Sequence, residues 1–266
     1  MTESVVMELE DGVLTATLNE PDSMNTLTPG ITKGLEEALV RASDDEDVKC
    51  LLLTGTGRAF CAGAAVGNFV ANAGNSGAEK KVPRKVTLDS WGSSARTVAL
   101  FSQCDVPIIA AINGAAVGAG FGLATCCDMR FMAESARLGS VFIKRGLASD
   151  YGAAYWLPRI VGAGRATEIM FSGELLDAQT SLNIGLANKV FADDELLAES
   201  KAYAKMIANG PPLAYTVLRR MMQRTQDMSV AEFAEYEWVN QKILLSTKDL
   251  MEGFSAFLEK REPNFR

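Results

Sequence analysis

The run Val106–Asp128 combines residue types that could bind a negatively charged oxygen. A short apolar segment is followed by an Asn113-Gly114 turn and then by the small residues Gly118–Gly120, before a second apolar segment. This order favours a buried strand, a tight turn and the start of a buried helix. A helix start offers unpaired backbone N–H groups and the positive end of the helix dipole, and small residues let a ligand approach closely. We interpret this corner as an anion or oxyanion site; a buried strand and helix without chemistry is the alternative.

A second corner of small residues lies at Gly55–Gly67, whose sequence is GTGRAFCAGAAVG. Its composition indicates a backbone that is pressed against a neighbour or a ligand. The phosphate-loop pattern GxxxxGK[ST] is absent, so nucleotide hydrolysis is not expected. The polar segment 71–86 that follows is predicted to be a mobile loop, either a plain disordered loop or a lid.

The chain contains no histidine, which restricts its chemistry more than any other feature of the composition. Nucleophile systems that need histidine and histidine-rich metal sites are excluded. Acid–base chemistry must therefore use Asp, Glu, Lys, Tyr or Cys. One candidate is Asp150 in GLASDYG, although Ser149 and Asp150 could equally cap a helix at Ala153–Ile160, whose first part ends at Leu157-Pro158.

Composition also narrows the class of protein. The net charge of −7 and the pI near 4.9 argue against a nucleic-acid surface. Five cysteines without C-x-x-C spacing argue against zinc and disulfides and favour the cytoplasm, with Cys126 and Cys127 as packing residues. The N-terminus lacks the pattern of a signal peptide, and Gly, Pro and Asn interrupt the one long apolar run, so no membrane association is expected.

The order of elements predicts a mixed α/β protein. Residues 4–18 read as a hairpin that turns at Asp11-Gly12, Val48–Thr54 as a buried parallel strand, and Leu88–Gln103 as a helix. From Asp193 onward the pattern is helical to the end. We place a soft domain boundary there, between a core of residues 1–195 and a helical region of residues 196–266.

Several motifs together resemble the crotonase superfamily, also called the enoyl-CoA hydratase/isomerase family. The matching segments are FCAGA at 60–64, INGAAVGAGFGLATCCDMRF at 112–131, GLASDYGAAYWLPRIVG at 146–162, LNIGLANKVF at 182–191 and FLEKREPNF at 257–265. The resemblance covers nearly the whole chain. It implies an N-terminal core of ββα repeats wound into a spiral, which binds acyl-CoA, and a C-terminal helical region for assembly into a homotrimer or a hexamer.

The resemblance also implies a coenzyme A thioester substrate, no tightly bound cofactor and no metal. The thioester oxygen would be held by the backbone N–H groups of Ala64 and Ala119. The family usually has Asp where this chain has Ala65, so the shape of that loop is expected to differ. The implied substrate-binding residues are Met24, Ala62, Ala64, Ala65, Val66, Val117, Gly118, Ala119, Phe142 and Leu147.

The carboxylates decide which reaction the resemblance implies. Hydratases of the family use two glutamates, and this chain has Gly122 and Phe142 at those positions. Asp150 instead resembles the single acidic residue of the family's enoyl-CoA isomerases, where one carboxylate carries a proton between two carbons. Phe142 is expected to keep the site dry and to make the carboxylate more basic.

Three other functions stay open. The first is enoyl-CoA hydratase, as family annotation would suggest. The second is an acyl-CoA dehalogenase or hydrolase with Asp150 as nucleophile, although such dehalogenases also use a histidine. The third is an acyl-CoA-binding protein without catalysis, which the loss of both glutamates suggests.

Overall fold

The computed structural model describes residues 3–65, 84 and 88–265 of the 266-residue chain. The strands are β1 (Val5–Glu10), β2 (Val13–Leu18), β3 (Cys50–Gly55), β4 (Ala59–Cys61), β5 (Ile108–Ile112), β6 (Ala115–Val117), β7 (Met129–Ala133), β8 (Arg137–Gly139), β9 (Leu176–Asp177) and β10 (Lys189–Phe191). The helices are α1 (Pro29–Asp44), α2 (Gly92–Gln103), α3 (Ala119–Cys126), α4 (Ala153–Val161), α5 (Ala163–Ser172), α6 (Ala178–Asn183), α7 (Leu196–Ala208), α8 (Pro212–Arg224), α9 (Val230–Leu244) and α10 (Lys248–Glu259). Two short 3₁₀ turns span Pro21–Ser23 and Val141–Arg145.

The strands form two sheets. The larger has the order β1-β2-β3-β5-β7-β10, and the smaller has the order β4-β6-β8-β9. The pairs β1–β2 and β8–β9 are antiparallel, and the other pairs are parallel. After each of β3, β5 and β7 the chain adds a short strand to the smaller sheet and later a helix. The expected mixed α/β fold of ββα repeats is therefore confirmed.

The elements with strong local signals lie close to their predicted bounds. The hairpin turns at Asp11 and Gly12, which have φ values of 50° and 78° as a tight turn requires. Strand β3 is buried and lies parallel to both of its neighbours. Helix α2 begins at Gly92 instead of Leu88, because the Asp89 carboxylate accepts hydrogen bonds from the amides of Trp91 and Gly92 at the turn before it.

Two sequence predictions about local structure were wrong. Strand β6 lies between the Asn113-Gly114 turn and helix α3, where only a turn was expected, because three residues are too few to show a strand period. Helix α4 does not end its first part at Pro158 but continues to Val161. The φ angle of proline suits a helix, so Pro158 costs a hydrogen bond without stopping this short helix.

The core is continuous between the larger sheet and the helices that cover it. Its fully buried members include Phe60, Phe101, Phe121 and Phe131, and every residue of α3 is buried. Helix α7 packs on β2, β3, β5 and β7, although it follows the predicted boundary near residue 195 directly. That boundary stays a prediction. Within the described ranges, no helix has the length and apolar character needed to cross a membrane.

Arg219 ties α8 to this core. Its Nε donates to Asp128 Oδ2 at 2.8 Å, and its Nη2 donates to the carbonyl of Phe101 at 2.7 Å. The Arg219 side chain is only 5% exposed. Asp128 also accepts a hydrogen bond from the Ile108 amide at 2.7 Å, so one carboxylate joins the start of β5 to α8.

Replacing Arg219 by methionine should lower the free energy of unfolding by about 3 kcal/mol, because buried acceptors lose their donor. Arg220→Met is the matched control, since Arg220 pairs with Asp105 at the surface and its loss should cost less than about 1 kcal/mol. Urea unfolding of both variants measures the difference. Equal losses would contradict the role given to Arg219.

Candidate active site

The parallel pairing of β4 with β6 brings the two corners of small residues together. Ala59 pairs with Ala115, and Cys61 pairs with Ala116. Because the strands run in the same direction, the segments that follow them, Ala62–Ala64 and Gly118–Ala119, leave the sheet at the same edge. Residues that are more than 50 positions apart in sequence therefore meet.

The approach of the two corners is so close that side chains would not fit between them. A Cβ atom placed on Gly63 would lie 2.8 Å from the Val117 carbonyl oxygen and 3.3 Å from the Ala119 amide nitrogen. A Cβ atom on Gly120 would overlap the Cys61 carbonyl oxygen. Glycine is therefore required at both positions for a steric reason.

The backbone amides of this region fall into two groups. Those of Ala62 and Gly118 donate to the carbonyls of Met24 and Gly139, each at 3.0 Å. Those of Ala64 and Ala119 donate to no acceptor among the described residues. Ala119 is the first residue of α3, where a helix leaves its amides unpaired. Two unpaired N–H groups on facing corners can together hold one oxygen that carries negative charge.

A cavity of about 500 Å³ opens beside these amides. Asp150 is the one carboxylate among the described residues that line it, and Arg145 is the one cation. The lining residues are Ala62, Gly63, Ala64, Val117, Gly118, Ala119, Val141, Phe142, Arg145, Leu147, Ala148, Ser149, Asp150 and Tyr151. In the described part of the chain, no group of three or more His, Cys, Asp or Glu side chains could hold a metal ion.

Asp150 does not cap helix α4, which was the alternative to a catalytic role that the sequence left open. Its Oδ1 accepts from the amide of the next residue, Tyr151, at 2.8 Å, and the cap position is taken by Gly152. Tyr151 and Gly152 both have left-handed backbones, with φ values of 50° and 71°, so the chain turns sharply between Asp150 and the start of the helix. Ser149 keeps part of the predicted role, because its Oγ accepts from the Ala154 amide at 3.2 Å.

Aromatic side chains form part of the wall. Phe142 and Tyr151 are each 8% exposed, whereas Asp150 is exposed. The described residues alone therefore do not surround the carboxylate with the dry environment that we expected from Phe142. Burial, followed by the charge of Asp150, raises the pKa of the Tyr151 phenol to about 12. The phenol is protonated at neutral pH, so Tyr151 is not a candidate base.

The structure places the predicted binding residues in three groups. Seven of them besides Ala64 and Ala119 are in the described ranges, and five of these line the cavity: Ala62, Val117, Gly118, Phe142 and Leu147. Met24 and Ala65 do not line it. The Met24 carbonyl accepts a hydrogen bond from the amide of Ala62, which does line the cavity. Val66 lies outside the described residues, as does almost all of the predicted loop 71–86.

Sequence reasoning missed two residues that belong to this region. Asn25 is fully buried, has φ 53°, and donates through Nδ2 to the carbonyls of Thr56 and Ala59 at 2.9 and 2.8 Å. It thereby fixes the segment that carries Met24. Asparagine tolerates a left-handed backbone, which is the only local signal for it. No sequence pattern indicated Arg145 as a site residue, because only the fold places it at the cavity.

Comparison with known proteins identifies the family. A family model described as enoyl-CoA hydratase/isomerase matches residues 8–266. The chain belongs to the enoyl-CoA hydratase/isomerase family. A crotonyl-CoA hydratase of Syntrophomonas wolfei is 31% identical over 265 residues, which cover 99% of this chain and 98% of the relative. A 1,2-epoxyphenylacetyl-CoA isomerase of Escherichia coli is 31% identical over 270 residues, which cover 100% and 99%.

Solved structures of the enoyl-CoA hydratase/isomerase family share the fold. An enoyl-CoA hydratase/isomerase of Cupriavidus metallidurans superposes with a TM-score of 0.90 at 27% identity, covering 100% of this chain and 97% of the other. An enoyl-CoA hydratase of Bacillus anthracis superposes with a TM-score of 0.88 at 28% identity, covering 98% of each chain. The fold expected from the resemblance is therefore confirmed, whereas the catalytic and binding roles of individual residues stay predictions.

The cysteines of this family member lie in the core. All five are free and buried. Burial raises the pKa of the Cys61 and Cys126 thiols to about 12 and that of Cys127 well above its usual range. A thiol in this state is not a nucleophile at neutral pH. The structure thus agrees with Cys126 and Cys127 as packing residues.

We expect the folded protein to leave all five thiols unmodified at pH 8, over a time in which the protein in denaturant reacts at all of them. Mass spectrometry after iodoacetamide treatment measures the number of modified cysteines. A thiol that reacts at the same rate in both conditions would contradict this assignment.

Proposed function

We propose that this protein is an enoyl-CoA isomerase in which Asp150 moves a proton along the acyl chain. The observation that carries the proposal is that Asp150 is the one carboxylate among the described residues lining the cavity beside the amides of Ala64 and Ala119. Enzymes of this family act on coenzyme A thioesters. The acyl part of the substrate is proposed to lie against Val117, Phe142 and Leu147.

The reaction needs one base and one oxyanion site. Asp150 takes a proton from the carbon next to the thioester carbonyl of a 3-enoyl thioester, and the electrons of the C–H bond form an enolate. The N–H groups of Ala64 and Ala119 hold the enolate oxygen. The protonated Asp150 then returns the proton to the fourth carbon, which leaves the double bond between the second and third carbons. The carboxylate is regenerated, so no second acid is required.

The electrostatics of the site support this assignment. The carbonyl oxygen gains negative charge only when the proton leaves, so two fixed N–H donors stabilise the enolate more than the substrate. A donor of this kind contributes about 3 kcal/mol in other enzymes. The exposed Asp150 carboxylate has one amide partner, at Oδ1, and Oδ2 accepts no hydrogen bond from the described residues. That second oxygen is available to take the proton.

Hydration is the alternative favoured by the names of relatives such as the crotonyl-CoA hydratase. It needs one group to activate water and another to manage the proton. The glutamates that would do so are replaced by Gly122 in α3 and by Phe142, which is buried at the cavity wall. We therefore propose that hydratase activity is weak or absent.

The proposal includes assembly into a homotrimer or a dimer of trimers. It is supported by apolar side chains of α9 and α10 that are exposed in the single chain, among them Trp238 at 56%, Phe254 at 59% and Phe257 at 80%. Patches of this kind mark contact surfaces between proteins. The free state of the cysteines supports a reducing compartment such as the cytoplasm.

Replacing Asp150 by alanine should abolish exchange of the protons next to the thioester carbonyl, with turnover reduced about 100-fold or more. The measurement is NMR in deuterated water with matched 3-enoyl and 2-enoyl thioesters of coenzyme A. Asp150→Asn is the shape-matched variant and should be equally inactive, because the amide cannot accept the proton. Asp177→Asn is a control at a helix-capping carboxylate outside the cavity and should keep full activity.

Full isomerisation by Asp150→Asn would refute the proposed role. Binding of thioesters without exchange in the unchanged protein would support the binding-only alternative. Incorporation of ¹⁸O from labelled water into Asp150 during turnover would instead indicate that the carboxylate acts as a nucleophile.

A further inference from the structure

The backbone that carries Asp150 rests directly on helix α3 at Gly122. A Cβ atom placed on Gly122 would lie 2.6 Å from the Tyr151 Cβ, 2.9 Å from the Tyr151 carbonyl oxygen and 3.0 Å from the Asp150 carbonyl oxygen. The first distance is too short for two carbon atoms that are not bonded. The other two involve backbone atoms, which cannot move without moving the segment. The contact therefore exists only because residue 122 has no side chain.

The segment that rests there has a strained backbone. Tyr151 has a left-handed backbone with φ 50°, which is costly for a residue with a large side chain. Three interactions hold it in place: its side chain is buried, its carbonyl accepts from Cys126 Sγ at 3.4 Å, and the Asp150 carbonyl accepts from the Ala153 amide at 3.2 Å. Cys126 lies one helical turn beyond Gly122 on the same face of α3.

Together these contacts make α3 a platform for the Asp150–Tyr151 segment. The amide of Tyr151 donates to Asp150 Oδ1 at 2.8 Å, so the orientation of this peptide group also orients the carboxylate. The same helix begins with Ala119, the amide of which is proposed to hold the enolate oxygen. One rigid, fully buried helix therefore sets the position of the base relative to an oxyanion donor.

We propose that Gly122 is a positioning residue, which places Asp150 by letting the Asp150–Tyr151 backbone pack directly on α3. This inference rests on the proposed role of Asp150 as the base. Gly122 touches no reacting atom. A shift of about 1 Å in a catalytic group can reduce turnover about 100-fold, so displacement of the Asp150–Tyr151 backbone should affect turnover much more than binding.

A consequence is that the close contact between α3 and the Asp150–Tyr151 backbone excludes a glutamate at position 122. Its side chain would have to leave α3 through the space that Tyr151 and the Asp150 carbonyl fill. Gly122→Glu combined with Phe142→Glu should therefore fail to produce hydratase activity, and it should also lose isomerase activity. The gain of enoyl-CoA hydration by this double variant would overturn the inference.

The main test compares Gly122→Ala with Gly164→Ala, a matched control in α5, where an added Cβ meets no atom within 4 Å. We expect Gly122→Ala to lower kcat for proton exchange about 10- to 100-fold, with KM changed by less than about threefold, while Gly164→Ala leaves both unchanged. Circular dichroism and Tm establish that each variant is folded.

Asp150→Ala is measured alongside, so that failure of the two proposals can be told apart. If Asp150→Ala is inactive while folded Gly122→Ala has the kcat of the unchanged protein, the positioning role is wrong and the role of Asp150 stands. If Asp150→Ala keeps full exchange, the role of Asp150 is wrong, and the positioning role falls with it.

A second pair of variants covers the case in which Gly122→Ala does not fold. Tyr151→Gly removes the Cβ that a new side chain would strike and suits the left-handed backbone. The two backbone oxygens stay 2.9 and 3.0 Å from the added Cβ, so Gly122→Ala in the Tyr151→Gly background should fold but have a lower kcat than Tyr151→Gly alone, with KM changed by less than about threefold. A folded double variant with the same kcat as Tyr151→Gly alone would overturn the inference.

Discussion

The structure around the cavity depends on close backbone contact between helix α3 and two segments that are distant in sequence. At its first turn, Gly120 lies against the Cys61 carbonyl, and Gly63 of the other corner faces the Ala119 amide. Further along, Gly122 lies against the Asp150–Tyr151 backbone. Side chains at these glycines would clash with the facing backbone and force the segments apart. Glycine at these positions thus lets two unpaired amides and one carboxylate share a cavity of about 500 Å³.

Burial of α3 explains why such contact is stable. A helix that is buried on every side is held by apolar packing on all of its faces, and it has little freedom to shift. The unpaired amide of Ala119 is tolerated because it faces the cavity. Rigidity suits a site whose donors stabilise charge that appears only during the reaction, because donors fixed in advance need no reorganisation.

The surrounding core supports α3 and the strands that precede it. Parallel pairing of β5 with β3 and β7 fixes the strand that leads to Asn113-Gly114, and the buried Arg219–Asp128 pair ties α8 to the start of β5. Asp128 lies two residues beyond the end of α3, so this ion pair also holds the chain just after the helix. The C-terminal helices α9 and α10, in contrast, expose large apolar side chains, which is consistent with the proposed assembly.

The sequence by itself determined the family and its chemical limits. The absence of histidine restricted the base to Asp, Glu, Lys, Tyr or Cys, and the family resemblance indicated Asp150 as the base and the N–H groups of Ala64 and Ala119 as oxyanion donors. The Asp11-Gly12 hairpin and the buried strand β3 were predicted from local signals alone, because turn geometry and strand character depend on neighbouring residues. Strand β6, the environment of Asp150 and the position of Arg145 were not predictable in this way.

Only the tertiary structure decided how Asp150 is held. From the sequence, Asp150 could be a helix cap or a base, and Gly122 indicated only a missing glutamate. The fold instead brings the Asp150–Tyr151 backbone onto Gly122, 28 positions earlier in the chain, and the Asp150 carboxylate accepts from the Tyr151 amide without capping α4. Contacts of this kind depend on how strands pair and where helices pack, and no local pattern records them.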